Sequence, residues 1–135
     1  MTNLVATLAE GLRYRGHGGQ WSWILHRISG LGTVLFVLIH VADTATVYFA
    51  PHEYQWFIDL YRTPVFGLGE IALIACVLYH GLNGLRVTLF DLKPAWWTIE
   101  RQRQSVMVTA AVFVVLFIPV VLIVGNTILT HLAGG

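Results

Sequence analysis

Charge is what this sequence has least of. Only 11% of its 135 residues are Asp, Glu, Lys or Arg, against the roughly 25% of an ordinary soluble domain. That shortage rules out a solvated surface over most of the chain and points to an integral membrane protein. Cysteine occurs once, at Cys76. No internal disulfide can form, and the apolar run around Cys76 reads it as a small packing residue. No CxxC pair, glycine-rich phosphate loop or serine elbow is present. Dithiol exchange, P-loop nucleotide chemistry and serine hydrolysis therefore have no carrier. A net charge of +1 gives no footing for nucleic-acid binding. Residues 1–20 lack an apolar core ahead of a small-residue cleavage site, so no signal peptide is expected.

What is abundant is apolar sequence, at 56%. It falls into three stretches, about 24–48, 65–89 and 106–132, each near the ~20 residues that cross a bilayer. A crossing without a closed barrel must be helical, because lipid offers the backbone no hydrogen bonds. The expected fold is an all-α membrane protein with three transmembrane helices in one domain, 1–135. The first connection carries Tyr54, Trp56, Phe57 and Tyr61 and suits a short helix lying in the interface. The second holds Lys93, Arg101 and Arg103, with Pro94 interrupting it and Trp96-Trp97 as an interfacial anchor.

Basic residues flanking spans stay on the cytoplasmic side. Arg13, Arg15 and Arg27 precede or open the first span, and residues 90–105 are basic. The 49–63 connection and the tail are not. These segments agree on a cytoplasmic N-terminus. The start of the first span (His26, Arg27, Ser29) and the end of the second (Arg86, Asp91) then share one side of the membrane.

Ionisable groups inside a span are costly and usually functional. In the second span, Cys76, His80, Asn83 and Gly84 lie on one helix face. Two readings stand. A flat, bulky cofactor such as haem lies against this small-residue face, with His80 as axial ligand. Alternatively, the face packs against another helix and the histidine hydrogen-bonds across. In the first span Ser29, Thr33, Phe36 and His40 share a stripe. His40 lies about 20 Å from His26 along the axis, too far in depth to clamp one iron with His80. It serves either a second haem or a local hydrogen bond near Asp43. Arg27 is either a snorkelling interfacial cation or the holder of an anion or polarised carbonyl. His17, His52 and His131 suggest no role.

Two segments resemble a known family. Trp-Ser-Trp-Ile-Leu-His-Arg-Ile-Ser-Gly (21–30) is similar to the His-Arg-x-Ser/Thr-Gly signature of the succinate dehydrogenase cytochrome b subunit. Tyr-His-Gly-Leu-Asn-Gly-Leu-Arg (79–86), followed by Asp91, resembles that family's second signature. The resemblance covers nearly the whole chain. It extends to the branch in which His-Val-x-Asp-Thr closes the first span, here His40 to Thr44. It implies a membrane anchor subunit of succinate:quinone oxidoreductase in a bacterial cytoplasmic membrane. The anchor would bind haem b and a quinone, ubiquinone or menaquinone. The implied partners are a flavoprotein, an iron–sulfur subunit and a second membrane anchor that supplies the other axial ligand.

The resemblance implies that His80 is the axial ligand to the haem iron, with His26, Arg27 and Arg86 near the haem. Trp23, Arg27 and Ser29 fall at the quinone end, and His40 marks a second haem if there are two. Trp23 stands where the family often has a quinone-binding serine, with Ser22 one step away, and Val87 stands where it often has a histidine. The rival readings are a free-standing three-helix scaffold and an anchor that has lost haem but still assembles.

Overall fold

The computed structural model describes residues 17–133. Its elements in order are α1 (His17–Phe49), α2 (Pro51–Tyr61), α3 (Pro64–Leu92), a 3-10 turn (Pro94–Trp96) and α4 (Ile99–Ala133). No strand occurs among the described residues. Gly19–Phe49, Pro64–Leu92 and Ile99–Ala133 are each long and apolar enough to cross a membrane. The shortest, α3, has 29 residues and so reaches about 43 Å, beyond a hydrocarbon core of about 30 Å. Arg13 and Arg15, used in the orientation argument, lie outside the described residues.

The helices run past the apolar stretches that announce them. α4 begins at Ile99 rather than near 106, because Glu100 to Gln104 are polar yet good helix formers. Hydropathy marks the hydrocarbon, whereas backbone hydrogen bonding carries on into the interface. The short helix expected between the first two spans is α2, opened by Pro51. Proline suits that first position, where its missing N–H would have no helical partner anyway. α2 leans on α1 through Tyr61. Burial first, then the adjacent Asp43 carboxylate, raise the Tyr61 hydroxyl above its usual pKa.

α3 lies between α1 and α4 and packs on both. Toward α4, Tyr79 meets Phe113 edge-on at 5.7 Å. At the far end, a Cβ on Gly67 would fall 2.8 Å from Ile128 Cδ1, so glycine there lets the helices close. Trp97 Nε1 donates to the Phe90 carbonyl at 3.1 Å, and both Trp96 and Trp97 meet the Phe90 ring edge-on. This aromatic knot ends α3 and turns the chain into α4. Phe90 is the one buried hydrophobic residue among the described residues. Large side chains such as Leu31, Val115 and Ile123 point outward. An apolar surface on that scale is untenable in water and is what a bilayer or further helices would cover.

Candidate functional site

The two segments singled out in the sequence meet face to face. α1 and α3 run antiparallel, so the start of one lies beside the end of the other. Ser22 Oγ donates to Asn83 Oδ1 at 2.9 Å, and both residues are almost fully buried, at 3% and 2% exposed. One turn deeper, the His26 and His80 rings stack with centroids 4.1 Å apart and planes within 7°. Deeper still, His80 reaches Gly30 and Cys76 reaches Gly32. A Cβ on Gly30 would sit 3.0 Å from His80 Cε1, and one on Gly32 only 2.5 Å from Cys76 Sγ. Both glycines are required by the closeness of the helices.

Of the two readings of the Cys76–His80–Asn83–Gly84 face, the contact present is helix against helix. α1 packs on that face, as helices do where small residues let them approach closely. Gly84 touches the His26 ring at an ordinary contact distance. At Gly81, next to His80, an added Cβ would meet nothing within 4 Å.

The packing leaves His80 in a specific state. Its Nδ1 lies 3.1 Å from the His26 carbonyl oxygen. A carbonyl only accepts, so Nδ1 carries a proton, and in the neutral tautomer the lone pair is on Nε2. Nε2 has no hydrogen-bond partner among the described residues, and the ring is half-buried rather than enclosed. An N–H anchored to a backbone carbonyl is the usual arrangement of a metal-ligating histidine. Ser29 is buried and donates to the same His26 carbonyl at 3.0 Å, so it acts on that carbonyl rather than on the surface. His26 Nδ1 is buried with no partner among the described residues, a polar atom awaiting something.

The remaining candidates lie apart. Arg27 faces outward, its guanidinium carbon 4.0 Å above the Trp23 ring, and Trp23 is itself exposed. The pair forms a cation–π contact on the exposed surface of α1. Arg86 is half-buried on α3 and turns toward α4. His40 is exposed and stacks on Phe36 at 5.5 Å. Asp43 does not pair with it but lies by Tyr61. Among the described residues no three His, Cys, Asp or Glu side chains gather.

Sequence reasoning missed Ser22, Gly30 and Gly32 as contributors. The signal was present: Ser22, His26, Ser29, Gly30 and Thr33 recur at helical spacing, a small polar face matching the one on α3. Replacing Ser22 with alanine should leave Asn83 Oδ1 without its donor and cost about 1–2 kcal/mol. Thermal denaturation in detergent would register it. The double variant S22A/N83L should recover much of the loss, since no orphan polar group then remains. Equal stability of S22A and the parent would show that the bond carries little.

Residues 8–123 match the model of the succinate dehydrogenase/fumarate reductase transmembrane subunit family. The chain is 38% identical to the succinate dehydrogenase 2 membrane subunit SdhC of Mycobacterium tuberculosis, covering 97% of this chain and 98% of that protein. It is 26% identical to the succinate dehydrogenase hydrophobic membrane anchor subunit of Halobacterium salinarum, over 75% of this chain and 78% of the other.

Proposed function

The chain belongs to the succinate dehydrogenase/fumarate reductase transmembrane subunit family, and from that premise we propose that it anchors a succinate:quinone oxidoreductase in a bacterial cytoplasmic membrane and binds haem b and quinone there. A flavoprotein and an iron–sulfur subunit would dock on the cytoplasmic side, where the N-terminus lies. A second anchor subunit would pack against the exposed helix faces. The observation that carries the haem reading is the state of His80: proton fixed on Nδ1 by the His26 carbonyl, lone pair left on Nε2, inside a membrane-spanning helix.

The residues present fit the group. His80 Nε2 would ligate the iron, Ser29 would help hold the carbonyl that orients it, and the unpartnered His26 Nδ1 is the polar atom a propionate would satisfy. When bound, haem would supply reversible one-electron storage. A second residue holding the iron would come from the partner anchor. His40, at a different depth, would serve a second haem only if one exists.

Quinone would bind beside Trp23 and Arg27 on the outward face. Electrons would come from the iron–sulfur subunit and protons from cytoplasmic water, giving the quinol after two of each. Negative charge builds on a quinone oxygen as electrons arrive, and the Arg27 guanidinium would donate hydrogen bonds to it there. Losing one such donor typically costs about 10²-fold in turnover or more. Arg27→Gln should therefore cut quinone reduction by about that factor while succinate oxidation with an artificial acceptor survives. Joint loss of both activities would put Arg27 in assembly instead. The overall reading is tested by gentle detergent purification, a visible spectrum and mass analysis of co-purifying subunits. A haem-free chain that purifies alone would favour the scaffold reading.

A further inference from the structure

Where α3 ends and α4 begins, a groove of about 590 Å³ opens between them. Its deep wall is apolar, built from Leu85, Leu89, Val108 and Val112. Arg86 and Arg101 stand in its lining, Trp96 closes one end, and no acidic residue faces it. Further cation density gathers at the mouth: Lys93 Nζ lies 4.5 Å from the Trp96 ring centroid and Arg101 Cζ 5.9 Å from it. Polarity is ordered along the membrane normal. Arg101 sits in the first turn of α4, and Val112 about 16 Å deeper. Tryptophans beside such a turn settle at headgroup level.

We propose that this groove binds an anionic phospholipid, with the phosphate at Arg86 and Arg101 and an acyl chain along Leu89, Val108 and Val112. Two guanidiniums without a carboxylate partner at the interface call for an anion. The apolar wall beneath them calls for an attached hydrocarbon chain. Basic pockets between transmembrane helices recognise anionic headgroups for this reason. A neutral quinone ring would leave the paired charges unanswered. The inference rests on the groove and the spans, and stands whether or not haem binds to His80.

The test is native mass spectrometry of the detergent-purified complex, titrated with phosphatidylglycerol or phosphatidylcholine. One phosphatidylglycerol per chain should be retained, with about tenfold preference over phosphatidylcholine. Arg101→Gln should abolish that preference and Arg101→Lys should keep it. Both should leave haem content and quinone reduction as they are, since Arg101 lies outside that site, and unchanged haem content also certifies the fold. Val112→Trp, which fills the apolar wall, should weaken retention with both arginines intact. Millimolar inorganic phosphate should not displace the lipid. Equal retention of the two lipids, indifference to Arg101→Gln, or displacement by inorganic phosphate would each overturn the assignment. A protein segment of the partner anchor lying in the groove would give the first two results.

Discussion

Replacing His80 with alanine is expected to yield an assembled complex with no haem on this chain. The argument runs from the hydrogen bond outward. The His26 carbonyl fixes the imidazole tautomer, stacking on His26 fixes its plane, and Gly30 sets how near it lies to α1. Haem per assembled complex, measured after extraction, should fall to background. His26→Phe is the informative companion. It keeps both the backbone carbonyl and a ring to stack on, so haem should be retained, with a shifted spectrum from the lost Nδ1. Haem content in H80A equal to the parent would end the assignment. Loss in both variants would locate the defect in the α1–α3 contact rather than in ligation.

Gly32→Ala should disrupt assembly more than any surface change. The new Cβ would stand 2.5 Å from Cys76 Sγ and 2.8 Å from Cys76 Cβ. The sulfur can rotate away, but Cβ is fixed to the α3 backbone, so the helices must part. Overpacking of this kind costs about 1–3 kcal/mol, and parting also loosens the histidine stack and the Ser22–Asn83 bond, about one and two turns away along α3. The yield of intact complex and its melting temperature should both drop. Adding Cys76→Gly removes both offending atoms and should restore assembly. The glycine in α3 costs about 1 kcal/mol of helix propensity, so rescue would be partial. No rescue at all would mean that the contact between Gly32 and Cys76 is not what limits packing.

Much of this molecule was legible before any coordinates. Scarce charge and three apolar stretches require three membrane helices, because lipid tolerates no other backbone arrangement. The two motifs, 21–30 and 79–86, locate the polar site, since ionisable groups are excluded from spans that do not use them. The short helix between the first two spans was visible in its aromatic content. The ends of the long helices were less so, because hydropathy falls at the hydrocarbon boundary while helical hydrogen bonds continue through Glu100 to Gln104.

Which residues of the two paired helices touch was not legible. A stripe such as Cys76, His80, Asn83 and Gly84 looks the same whether it faces a porphyrin or another helix, as both need small residues. Only the approach of α1 showed that the stripe is taken, and that Gly30 and Gly32 complement it. Likewise Arg27 and His26 are sequence neighbours, yet a helix turns by about 100° per residue. One therefore points into the contact and the other out to Trp23. The sequence determines which residues must leave water and which can cross lipid, since those are properties of each side chain. Which faces meet depends on distances between residues far apart in the chain, and that was settled by how closely two helices pack.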